Sequence, residues 1–227
     1  MLNFGNTLVL AAHPDDEVLG VGGTIPRIKA NGGRVTVVIV TDGSSTQYAG
    51  NAEIVESKSR SLEEANKLIG TDNVIQWTFP DMKLDSVDHV SLNKAIEAII
   101  AERQFETVFV HNRNDINRDH QLIYESLLVA TRPVVDQPVK NILAYQVNSA
   151  TEWGGRTADT YFVPNLFVDI SATIDTKLKA LECYKDELRD YPHPRSVKAV
   201  RDRAAVYGSE VGYHYAEGFE VILSRVS

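Results

Sequence analysis

An unbroken apolar run, Thr7-Leu8-Val9-Leu10-Ala11-Ala12, stops abruptly at His13-Pro14-Asp15-Asp16-Glu17. A run without polar alternation suits a strand buried on both faces, the condition of an inner strand in a parallel α/β sheet. Glu106-Thr107-Val108-Phe109-Val110 repeats the pattern and leads to a second polar cluster, Asp115-Ile116-Asn117-Arg118-Asp119-His120. In such a sheet both clusters fall where strands end and helices begin. That is the edge at which these folds place their sites.

The rest of the chain keeps the alternation. Residues 17–30 read as a helix stopped by Asn31-Gly32-Gly33, with Pro26 expected to kink it. Strands are expected at 34–40, 74–79 and 139–147, and helices at 52–69, 87–102 and 119–130. The glycines of Leu19-Gly20-Val21-Gly22-Gly23 lie inside the expected helix, not in a strand-to-helix turn. They read as room for close helix–sheet packing and not as a phosphate loop. The last third is less regular. A strand at 166–170 precedes a helix capped by Ser171 with a stripe of Ile174, Leu178, Leu181 and Leu188. A helix at 197–206 and a strand at 218–226 end the chain. Strand–helix repetition of this kind predicts a three-layer α/β sandwich around a mostly parallel sheet. No repeat or linker divides the 227 residues, so one domain is expected, its part beyond about residue 150 completing the pocket.

Lys and Arg number 23 against 31 Asp and Glu, a net charge of −8. That balance argues against binding a nucleic-acid backbone or an anionic lipid surface. Cys183 is the single cysteine, so no internal disulfide forms, which fits a reducing cytoplasm. Its place in an amphipathic pattern predicts a small core residue. The N-terminus lacks a signal-peptide pattern and no apolar stretch is of bilayer length. A cytoplasmic protein without a membrane anchor is therefore expected.

His13 and Asp16 stand three apart across a tight loop, a spacing that lets an imidazole nitrogen and a carboxylate oxygen reach one ion. His120 supplies a third ligand from the other cluster. Two histidines and a carboxylate leave a coordination position open, as in catalytic zinc sites. Zinc lowers the pKa of bound water to about 7 and polarises an amide carbonyl. Asp15 is left beside the metal, placed to take a proton from water and pass it to a leaving amine.

Ala12-His13-Pro14-Asp15-Asp16-Glu17 with Leu19-Gly20 and Gly22-Gly23-Thr24, Val40-Thr41-Asp42-Gly43, and Asp115 to His120 resemble the motifs of the PIG-L/LmbE-like family of zinc-dependent N-acetylglucosaminyl deacetylases. The resemblance is strongest over the first 130 residues or so. It implies a Rossmann-like sheet, a catalytic Zn²⁺ on His13, Asp16 and His120, and Asp15 as general base. An open nitrogen–oxygen site also accepts Fe²⁺ or Co²⁺. The implied reaction removes the N-acetyl group of a small-molecule amino sugar or sugar conjugate. Arg60 and Glu63 resemble the family's substrate-contacting pair, and Glu17, Asp119 and Arg195 are counted with them as substrate-binding. By analogy alone, the resemblance allows a homo-oligomer.

One position departs from the family. Many members carry a histidine where this chain has Asn117, and an asparagine donates a hydrogen bond but carries no titrating proton. Three routes stay open: Asp15 makes both proton transfers, another group such as His193 in Pro192-His193-Pro194-Arg195-Ser196 substitutes, or the chemistry is slower or altered. Two other functions are compatible with the residues. One is the same chemistry on a non-sugar N-acyl compound, and the other a noncatalytic sugar-binding module.

Overall fold

The computed structural model describes residues 4–43 and 52–226. Its elements run β1 (Asn6–Ala11), α1 (Asp16–Val21), α2 (Thr24–Ala30), β2 (Arg34–Thr41), α3 (Ala52–Ile69) and β3 (Asn73–Phe79). Then come α4 (His89–Arg103), β4 (Thr107–His111), α5 (Arg118–Ala130) and β5 (Asn141–Tyr145). The last third holds β6 (Leu166–Asp169), α6 (Ile174–Leu181), α7 (Val197–Val211) and β7 (Ala216–Ser224). Short 3₁₀ turns occupy Leu84–Ser86 and Thr151–Trp153.

The strands form one sheet in the order β3-β2-β1-β4-β5-β7-β6. Pairings from β3 through β5 are parallel, and β7 runs antiparallel to both its neighbours. Successive residues of β1 point to opposite faces. Val9 and Ala11 join a core with α1, α2, α3, α6 and α7. Leu8 and Leu10 join another with α4 and α5. Burial on both faces is why the strand reads as a continuous apolar run. The strand order reverses between β1 and β4, so the crevice outside their carboxyl ends is the topological switch point.

Three expectations change. The helix expected over 17–30 is two helices, with Gly22 ending α1 and Gly23 opening α2. Pro26 is therefore the third residue of α2, where its missing N–H has no helical acceptor to lose. Ser171 does not cap α6; its hydroxyl bonds the backbone of Tyr215, and the helix starts after Thr173. Leu188 and Cys183 lie beyond the end of α6, and Cys183 is half-buried at the edge of the core. The packing role expected of the glycines holds at Gly20, where an added Cβ would stand 2.2 Å from the Tyr145 ring.

A buried ion pair closes the last third onto the first motif. Lys177 Nζ donates to Glu217 at 2.5 Å and to the Leu19 carbonyl at 2.7 Å. Glu217 accepts the N–H groups of Gly23 and Thr24 at 2.9 and 2.7 Å. The helix break beside the site is thus satisfied by groups about 190 residues away.

Candidate active site

His13, Asp16 and His120 meet at the crevice. His13 Nδ1 lies 3.4 Å from Asp16 Oδ2, His120 Nε2 lies 3.3 Å from the same oxygen, and the two nitrogens are 3.4 Å apart. A tetrahedral zinc with bonds of about 2.0–2.1 Å has ligand–ligand edges of roughly 3.3–3.4 Å. The three atoms therefore outline one face of such a tetrahedron, and the donor set fits the ion. His13 is partly open to the cleft, while Asp16 and His120 are buried.

Each histidine has a carboxylate behind it, which fixes ring orientation in metal sites. Asp115 Oδ2 lies 3.2 Å from His120 Nδ1, and Asp119 Oδ2 lies 3.4 Å from His13 Nε2. Asp81 approaches the same His13 nitrogen at 3.3 Å. Asp115 is itself held by the Thr151 hydroxyl at 2.7 Å, and Asp119 accepts the Leu84 N–H at 3.1 Å. Asp119, expected to meet substrate, is instead buried as a support for His13.

The electrostatics favour a cation between these groups. Burial lowers the pKa of His13, but Asp119 and Asp16 overcome it and raise it to about 10. His120 rises to about 9, burial being outweighed by Asp16 and Asp115. Burial would raise Asp16, yet His120, His111 and His13 hold it well below the carboxylate range. A metal ion would take the place of the imidazole protons.

His111, at the end of β4, escaped the sequence reading. It is fully buried, with Nε2 3.1 Å from Asp16 Oδ2 and 3.0 Å from the Tyr145 hydroxyl. Its ring stacks on His120 with centroids 4.0 Å apart. The backbone N–H of Ala12 donates to its Nε2 at 3.2 Å. Burial, helped by the charge of His120, lowers its pKa to about 4, so the ring is neutral at pH 7. Nothing in Val108-Phe109-Val110-His111 separates it from an ordinary strand-end residue.

Asp15 sits between strand and helix with φ 118°, a conformation that costs a non-glycine residue of order 1–3 kcal/mol. Glu17 holds it there by accepting its N–H at 3.1 Å. Glu17 is fully buried and also accepts from the Tyr184 hydroxyl and from Asn66. The substrate contact expected of Glu17 is replaced by this role beneath the site. Burial raises its pKa to about 7, although the Tyr184 bond opposes the shift. Asp15 Oδ2 receives Arg195 Nη1 at 3.2 Å, and the same nitrogen meets Glu187 at 3.0 Å. Burial raises the pKa of Asp15 to about 8, with Arg195 pulling against it and Asp16 adding to it.

Asn117 is the N-cap of α5. Its side-chain oxygen accepts the Asp119 N–H at 2.9 Å, and at the cleft its amide nitrogen donates to the Met82 sulfur at 3.6 Å. Asparagine is among the best residues for that position. His193 does not line the cleft. Its Nδ1 accepts the Arg195 N–H at 3.1 Å, and its ring stands perpendicular to Trp153. Arg195, two residues on, is the group that reaches Asp15. Arg60 and Glu63 are exposed on α3, with Arg60 3.6 Å from Glu56, and neither lines the cleft. The cleft measures ≈ 200 Å³, and most of its lining is charged or polar, including Asp15, Lys58, Asp81, Glu187 and Arg195.

Sheet order, switch point and triangle together define an α/β protein with a metal-ligand constellation at the carboxyl edge of its parallel strands. The PIG-L family model, described as GlcNAc-PI de-N-acetylase, matches residues 8–131, and the chain belongs to that family. It is similar to the diacetylchitobiose deacetylase of Thermococcus kodakarensis, 26% identical over 227 residues, covering 95% of this chain and 82% of that protein. The crystal structure of the conserved protein TT1542 from Thermus thermophilus superposes with a TM-score of 0.78 at 25% identity, covering 98% and 96% of the two chains. GalB, a 4-carboxy-2-hydroxymuconate hydratase of Pseudomonas putida KT2440, superposes at 0.72 with 21% identity, covering 98% of each chain. That last likeness concerns the fold alone. Among the described residues, no helix is long and apolar enough to cross a membrane.

Proposed function

We propose that this protein hydrolyses the N-acetyl group of an amino sugar or sugar conjugate, releasing acetate and a free amine. The observation that carries the reading is the triangle of His13, Asp16 and His120, spaced as a tetrahedral face, with Asp15 beside it in a polar cleft. These three residues would hold the metal, Zn²⁺ foremost, with Fe²⁺ or Co²⁺ accepted by the same donors. When bound, the ion supplies Lewis acidity toward the amide carbonyl and toward water.

The chain's own groups do the rest. Asp15 takes the proton of the attacking water and returns it to the departing nitrogen. Arg195, paired to Asp15, favours its ionised form and fixes the carboxylate in place. Asn117 presents an amide donor at the cleft but no titrating proton, so both proton transfers fall to Asp15. The charged lining suits a hydroxylated substrate and a short acyl group better than a long apolar chain. It offers little to a fatty acyl substrate. A noncatalytic sugar module is disfavoured by the intact ligand set and by the strained Asp15 beside it.

The test is acetate release across free, phosphorylated and nucleotide-linked N-acetylamino sugars, before chelation, after chelation and after zinc is restored. Release that stops and returns supports the reading. Release indifferent to chelation removes the metal from it, and no release from any sugar removes the sugar.

A further inference from the structure

Met82 lies between β3 and the 3₁₀ turn at Leu84–Ser86, on the wall of the cleft, and is 46% exposed. The chain has two methionines, and the other, Met1, lies outside the described residues. An exposed methionine is ordinary, but the surroundings of this one are not. Its φ of 54° falls in the left-handed region that favours glycine. The turn keeps that conformation with both flanks tied to the supports of His13. Asp81 Oδ1 lies 3.3 Å from His13 Nε2, and the Leu84 N–H donates to Asp119 at 3.1 Å. Met82 is thereby pinned to the cleft wall. Among the described residues lining the cleft, it and Pro14 alone have apolar side chains.

The Met82 sulfur accepts the Asn117 amide, with Nδ2 3.6 Å from Sδ. The helix cap fixes which way that amide points. Its oxygen faces the Asp119 N–H, so its nitrogen faces Met82 and the cleft. A thioether is a weak acceptor. A substrate oxygen therefore displaces it from the amide at little cost. We propose that Met82 is an oxidation site, and that its sulfoxide captures the Asn117 amide and slows turnover reversibly. The inference rests on the deacetylase reading for its activity readout alone. The oxidant is a hydroperoxide. The sulfur lone pair attacks one peroxide oxygen, an S–O bond forms as the O–O bond breaks, and with hydrogen peroxide the other oxygen leaves as water. Sulfur gives up two electrons and the peroxide gains them. The product is polar where the thioether was apolar, and methionine sulfoxide reductases reverse it. Its oxygen is a far stronger acceptor than sulfur and holds the donor that the thioether releases. Cys183 is a poor rival for peroxide. It is half-buried, and burial pushes its thiol pKa up.

The test treats zinc-loaded wild type and Met82→Leu with hydrogen peroxide, follows one added oxygen on the Met82 peptide by mass spectrometry, and measures acetate release. In the wild type, kcat/KM should fall about tenfold in step with oxidation, the factor equal to 1.4 kcal/mol. Methionine sulfoxide reductases of both epimer specificities should restore it. Met82→Leu, which keeps Met1 and Cys183, should retain its own untreated activity. In Asn117→Ser, which keeps a good cap but no amide, oxidation should change kcat/KM less than about twofold. Full oxidation of Met82 with unchanged kcat/KM overturns the proposal. So does a loss that Met82→Leu shares, that the reductases leave in place, or that Asn117→Ser shows in full. The side-chain amide signals of Asn117 in ¹⁵N NMR give a readout without turnover. They should move on oxidation and return on reduction, and unmoved signals overturn the proposal. No acetate release from the untreated protein would instead remove the deacetylase reading and leave the amide signals to decide the capture.

Discussion

The floor of the cleft and its rim are built differently. The floor comes from two strand ends brought together by the switch in strand order, β1 and β4, and its candidate ligands are braced by buried groups. Asp115 stands behind His120, Asp119 and Asp81 behind His13, and His111 beside Asp16. The rim comes from irregular segments after β5 and before α7, held by side chains reaching across long sequence distances. Arg195 meets an aspartate 180 positions away. A braced floor suits chemistry common to many substrates, while a rim on loops is where substrate choice varies without disturbing the fold.

That contrast can be broken from either side. The largest effect is expected at the floor. His111→Gln should weaken zinc affinity about 10–100-fold, the usual cost of losing a group that orients a ligand. Competition with a chromophoric chelator measures it, and unchanged affinity would mean that His111 only fills space. Arg195→Gln comes next. Arg195 lowers the pKa of Asp15, so its loss should raise that pKa. The base is then ionised only at higher pH, and the acid limb of kcat/KM should move upward. At neutral pH, kcat/KM should fall on the order of tenfold, the loss of one charged hydrogen bond. An unmoved limb would uncouple the pair. The smallest effect is expected at Arg60, exposed on α3 and away from the cleft. Arg60→Ala should change stability by less than about 0.5 kcal/mol, as surface substitutions usually do. Its kcat/KM should stay near that of the wild type, and a large rise in KM would return Arg60 to the substrate.

The same division decides what could be read from the sequence. The strands through β5 and the three ligand candidates were legible because each depends on a short stretch: an apolar run, then a polar cluster with ligand spacing. The break at Gly22-Gly23 was hidden because residues 17–30 carry one continuous helical pattern, and it is Glu217, from the distant β7, that satisfies the second start. Glu17 and Asp119 looked like polar residues facing substrate. Their burial depends on donors from Tyr184, Asn66 and Leu84, which no local pattern announces. Asn117 stands where many family members carry a histidine, and in the structure it is a helix cap that also reaches the cleft. His193 and Arg195 were noticed as a motif, but which of them turns toward Asp15 is settled by loop packing.

The most direct test of the central claim is turnover by Asp15→Asn with its zinc content verified equal to that of the wild type. Asp15 is the proposed base and lies outside the His13, Asp16 and His120 triangle. Metal occupancy should therefore be unchanged while kcat falls about 10²–10⁴-fold, the range for losing a positioned acid–base group. Full turnover by the zinc-loaded variant would contradict the account and send the proton transfers to another residue.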